Sequence, residues 1–143
     1  MNACKSVQVI GSRSDTAARE ALVVVLATGN DDGGRRATLA FTAATCAAAM
    51  DKRTIVFMVG DGAYWASEGR AAGVRQQGFP PLTELMDCLA ELGGEMYVCS
   101  ACDQVCSVPS DHEAEGFRRH AAIHPRGMAA VIAAMSDGLS VTF

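Results

Sequence analysis

The sequence predicts an α/β fold: a three-layer sandwich with a mostly parallel central sheet of about five strands and helices on both faces. Three observations predict it. Two short runs, ALVVVLA at 21–27 and TIVFMVG at 54–60, are apolar nearly throughout and rich in β-branched residues, as strands buried on both faces are. Stretches with helical spacing alternate with these runs. A single domain fits the length of 143 residues, half of them hydrophobic and a fifth charged.

Taken in order, residues 1–20 read as an N-terminal extension of mixed composition, and residues 21–143 as one domain. ALVVVLA forms the first strand. TGNDDGG follows as a polar turn whose Gly and Asn suit unusual backbone angles. A helix is expected over about 35–50, with Leu39, Ala43, Cys46 and Met50 as its inward stripe. TIVFMVG is the second strand and runs into DGAYW. The signal over 63–78 is weak and fits a short helix broken by glycines.

Pro81 suits the first position of the next helix. Leu82, Leu85, Leu89 and Leu92 step along one face, and Gly93 and Gly94 stop it. EMYVCS is the third strand. Ser110 and Glu113 have capping-box spacing for a short helix, while GFRRHAAIH suits a fourth short strand. Pro125 then opens a last helix, with Met128, Val131, Ile132 and Met135 on one face. LSVTF is the terminal strand.

Composition excludes several functions. The formal net charge is −4, and the basic clusters Lys52-Arg53 and Arg118-Arg119 are short. Nucleic acid binding needs a concentrated basic face and is not expected. No run approaches the roughly 20 apolar residues of a spanning helix. The first residues lack the apolar segment of a secretory signal, so a cytoplasmic setting with reduced thiols is expected. Neither a Walker loop nor a GxGxxG fingerprint occurs, and GDG is too short for a phosphate loop. No cofactor is implied.

Chemistry therefore centres on cysteine. Three of the six cysteines fall within YVCSACDQVC at 97–106. Cys46 and Cys88 sit in apolar helical settings and read as packed thiols. In open α/β sheets, ligands bind outside the carboxyl ends of the strands. Three segments lie there: TGND with Asn30, GDGAYW with Asp61, Gly62 and Trp65, and CSAC with Cys99 and Cys102. Trp65 either walls a pocket or is simply buried, the usual role of a large ring. A thiol at such an edge reacts as its thiolate. If 101–107 turn into a helix or a nest of amides, their N–H groups can face the Cys99 sulfur. Asp61 or Asp103 would oppose its ionisation if close.

The segments VVVLATGNDD, RRATLAFTAATCAAAMDKRTIVFMVGDGAYWASEG and GFPPLTELMDCLAELGGEMYVCSAC, in this order, resemble the DsrE/DsrF-like family over about residues 21–143. The resemblance implies a small α/β fold assembled into homo-oligomers, trimers or hexamers. It also implies sulfur relay between donor and acceptor proteins, with one cysteine after the third strand carrying sulfane sulfur as a persulfide. Cys99 matches that cysteine, and Cys102 matches a second one present in some members. An Arg-Gly pair common after the cysteines is replaced here by CDQVCSV, which adds Cys106.

Other readings stay open beside the relay. Cys99, Cys102, Cys106 and His124 form a ligand set for zinc or iron, although the spacing is longer than a zinc finger's. Cys99 and Cys102 have the CxxC spacing of a redox dithiol, but follow the third strand rather than the first. In the blandest reading the three thiols only fill space.

Overall fold

The computed structural model describes residues 20–106 and 118–143; the side chains of 104–106 are not described. The bulk of the expected extension, the Ser110–Glu113 capping box and the Cys106 thiol lie outside the described part.

Five strands form one sheet: β1 (Ala21–Leu26), β2 (Arg53–Met58), β3 (Glu95–Cys99), β4 (Ile123–Arg126) and β5 (Gly138–Thr142). Their order is β4-β3-β2-β1-β5 and every pairing is parallel. The helices are α1 (Arg35–Ala49), α2 (Leu82–Glu91), α3 (Ser100–Cys106) and α4 (Met128–Met135). Two 3-10 segments, Asn30–Asp32 and Gly60–Ala66, leave the carboxyl ends of β1 and β2. This is the three-layer α/β sandwich that the sequence predicts.

Alternation along the strands sorts their side chains onto two unlike faces. Val24, Leu26, Val56 and Met58 face α1 and α2 in a large cluster that includes Phe41 and Trp65. Val23, Ile55, Phe57 and Cys99 face the other way, toward Val131 and Ala134 of α4. Burying one large apolar side chain contributes about 1.5–3 kcal/mol, so the first face holds most of the stabilisation.

Helix α1 begins where Asp32 satisfies its free amides. One carboxylate oxygen accepts the Gly34 and Arg35 N–H groups at 3.1 and 3.2 Å, and the other accepts that of Arg36 at 2.9 Å. Its inward stripe is Ala37, Ala40, Phe41, Ala44 and Ala48, not the expected Leu39, Ala43, Cys46 and Met50. Leu39 is 39% exposed and Met50 37%. The helix is alanine-rich, so two stripes compete, and the single phenylalanine decides between them by volume.

Helix α2 follows expectation more closely. Leu82, Leu85 and Leu89 are buried, Leu92 is exposed, and Pro81 occupies the N-cap rather than the first turn. Cys88, on the same helix, is disulfide-bonded rather than merely packed.

The last elements differ most. Pro125 lies inside β4, an edge strand, where its missing N–H costs no ladder bond; the helix opens at Met128. Only Val131 and Ala134 of α4 are buried, whereas Met128 and Ile132 are exposed. MAAVIAAM has no polar residue to mark an outer side, so its sequence leaves its rotation undetermined.

Candidate functional site

The site forms where the carboxyl ends of β2 and β3 meet. Gly60 follows β2 with φ +57, in the left-handed region that glycine adopts without strain. Gly62, two residues on, packs so closely that a Cβ there would run into the Leu26 carbonyl. A Cβ on Gly29 would come within 2.9 Å of the Asp61 carbonyl oxygen. These glycines let the loops after β1 and β2 lie against each other. Trp65 pins the pair from inside: it is wholly buried and donates from Nε1 to the Thr28 carbonyl at 2.9 Å. Trp65 and Gly62 thus face inward, while Asn30 and Asp61 are exposed at the surface of the same loops.

Cys99 ends β3 and Ser100 starts α3 without an intervening loop. The first amides of α3 therefore fall beside the Cys99 sulfur. The Cys102 backbone N–H is the strongest of the influences that hold this thiol below its ordinary value; the Cys102 side chain and the Ala101 N–H add to it, and burial opposes them. Cys99 is 7% exposed, less open than the sequence reading expects. Cys102 is half-buried and touches both core clusters. Its Sγ accepts a hydrogen bond from the Gly60 N–H at 3.2 Å. The GDG turn thus serves a sulfur atom, a role that the sequence did not suggest.

Asp103 and Asp61, which would oppose ionisation if close, are not among the groups that perturb Cys99. Asp103 is ion-paired with Arg119. The Arg119 segment is in turn tied to the loop after β2, through a Ser67–Arg119 bridge and a bond from the Glu68 N–H to the Arg118 carbonyl at 2.7 Å.

Along β3 runs a polar row. Arg126 is registered against Cys99 across the β3–β4 pair, and its guanidinium lies 4.9 Å from the centre of the Tyr97 ring. The Tyr97 hydroxyl donates to Glu95 at 2.8 Å, and Glu95 pairs with Arg53 at 3.1 Å. Burial first, and Glu95 second, push the Tyr97 phenol up. Arg126 and Tyr97 were not among the expected site residues. Only strand register places them there.

The structure brings Cys99 and Cys102 together. His124 is exposed on β4, registered with Tyr97 rather than with Cys99. Among the described residues no three His, Cys, Asp or Glu side chains converge to hold a metal ion.

A three-layer α/β protein with a paired thiol at the carboxyl end of its third strand is thus defined. The sequence profile of the DsrE/DsrF-like family matches residues 20–143, and the chain belongs to that family. Among solved structures, it is similar to the crystal structure of the YchN protein from E. coli. That likeness has a TM-score of 0.64 at 9% identity, covering 88% of this chain and 100% of the other, and shows a shared fold. No curated protein matches significantly in sequence. Among the described residues no helix is long and apolar enough to cross a membrane.

Proposed function

We propose that this protein is a sulfur carrier. Cys99 takes the outer sulfur from a persulfide on a donor protein, holds it as its own persulfide, and passes it to an acceptor protein. The carrying observation is the set of donors on Cys99: two backbone amides and the Cys102 side chain favour its thiolate, with no lysine, arginine or histidine among the described residues contributing. Sulfur exchange requires an attacking thiolate and a competent leaving group, not an acid–base triad. Fixed amides favour the thiolate, and because they do not titrate their pull does not change with pH.

Cys99 is buried and ends its strand at the carboxyl side of the sheet. Donor and acceptor proteins reach it by displacing the loop edge around Gly60 and Asp61, which is exposed. Homo-oligomers, trimers or hexamers, follow from the family resemblance. The exposed Leu39, Met50, Ile132 and Leu139 support them as apolar surface to be covered. The cytoplasmic setting expected from the sequence suits relay chemistry; the Cys88 disulfide counts for a more oxidising one.

The test is intact mass after incubation with a persulfide donor. One added sulfur on the native protein in the first moments after mixing, absent from Cys99→Ser, is the expected result. An added sulfur that survives in Cys99→Ser would overturn the assignment.

A further inference from the structure

We propose that Cys102 is a second reacting thiol, which expels the sulfur carried by Cys99 as sulfide and leaves a Cys99–Cys102 disulfide. The proposal rests on the relay reading above and adds a second activity to the same site: release when no acceptor is docked.

Geometry carries it. Cys102 lies in the first turn of α3 and its side chain is hydrogen-bonded with the Cys99 thiol. Each sulfur also has amide donors of its own. The N–H groups of Ala101 and Cys102 serve Cys99, and the N–H of Gly60, from a different strand's loop, serves Cys102. The left-handed φ of Gly60 aims that amide. A thiol that merely fills space has no need of an N–H donor, because the thiol sulfur is a weak acceptor. A sulfur that must carry negative charge does need one. Cys102 is also the more open of the two, as a resolving thiol that must later meet a reductant should be.

The pair has an order. In the transfer Cys99 reacts as the thiolate that its amide donors favour, and Cys102 enters as the thiol. Cys99 thiolate attacks the outer sulfur of a donor persulfide R–S–SH; the S–S bond breaks and R–S⁻ leaves, giving Cys99–S–SH. Cys102 then attacks the inner sulfur. One S–S bond forms between the cysteines and one breaks. The electron pair of the broken bond leaves with the outer sulfur, which takes the Cys102 proton and departs as H₂S. The outer sulfur is reduced, and the Cys102 sulfur is oxidised into the disulfide. A dithiol reductant, contributing two thiol hydrogens and becoming a disulfide itself, resets the site.

Glutathione persulfide, supplied without oxygen and then removed, tests the step in the absence of any reductant. The native protein is expected to release about one sulfide per charged molecule. Its 99–102 peptide should become about two mass units lighter. Cys102→Ser and Cys102→Ala should both keep the added sulfur on Cys99, with sulfide release at least about tenfold slower. Native protein that holds its persulfide as long as these variants, or carries it on Cys102, would overturn the proposal while leaving the relay intact. If native protein and both variants take no sulfur at Cys99, the relay reading fails as well. Should either variant misfold, the native peptide mass and sulfide yield still decide.

Discussion

The two faces of the sheet differ in what they do. The face under α1 and α2 is thick, with Phe41, Trp65 and the α2 leucines wholly or almost wholly buried. The face under α4 is thin: a short helix packs on it with two buried residues, and beyond that helix it carries Cys99, Tyr97 and Arg126. Buried apolar volume is concentrated on one side and the candidate site on the other. The lesson is that a thiol can be activated without weakening the core, because it draws on backbone amides at a strand end rather than on a charge buried in the interior.

Four experiments would break or sharpen this contrast. The largest effect is expected from Phe41→Ala, which opens a cavity on the thick face and should cost about 3–5 kcal/mol in urea unfolding. The fraction still folded should take up sulfur at Cys99 as the native protein does. Gly62→Ala comes next. It forces a Cβ against the Leu26 carbonyl and should cost about 1–3 kcal/mol, with the loops after β1 and β2 moving apart. Since those loops hold Gly60, this variant should also slow reactions at Cys102, linking the two faces at one point.

The third effect is a pH dependence. The folded Cys99 thiol lies below its ordinary value, so over that interval the unfolded chain binds more protons than the folded one. Stability from this group is therefore complete above the ordinary thiol value and is lost as pH falls through the folded value. Stability of native protein minus that of Cys99→Ser, measured by denaturant at several pH values, should rise with pH across that window. A flat difference would mean that the amides do not favour the thiolate. The smallest effect is expected from Ile132→Ser, 53% exposed on α4, at within about 0.5 kcal/mol in the monomer. A cost equal to that of Phe41→Ala would abolish the distinction between the faces.

Much of the fold was legible in advance because strands buried on both sides leave continuous apolar runs; β1, most of β2 and residues 96–99 of β3 are such runs. Helix α2 was legible because its leucines contrast with Thr83, Glu84 and Asp87. The rotations of helices α1 and α4 are not legible, since alanine and uninterrupted apolar stretches give no contrast from which to read them. The place of Cys99 could be read from the CxxC following a strand. Arg126 could not, because its neighbour in space is separated from it by a whole connection in sequence.

The sequence by itself determined the alternation of strands and helices, the strand-end position of Cys99 and its partner three residues on. These follow from local periodicity and spacing, which need no knowledge of distant contacts. Only the tertiary structure decided that Gly60 donates to Cys102, that Asp103 is neutralised by Arg119, and that Arg126 is registered against Cys99 with its guanidinium over Tyr97. Each of these joins segments that come together only when the sheet assembles, and the register of parallel strands, fixed by which faces are buried, sets which atoms meet.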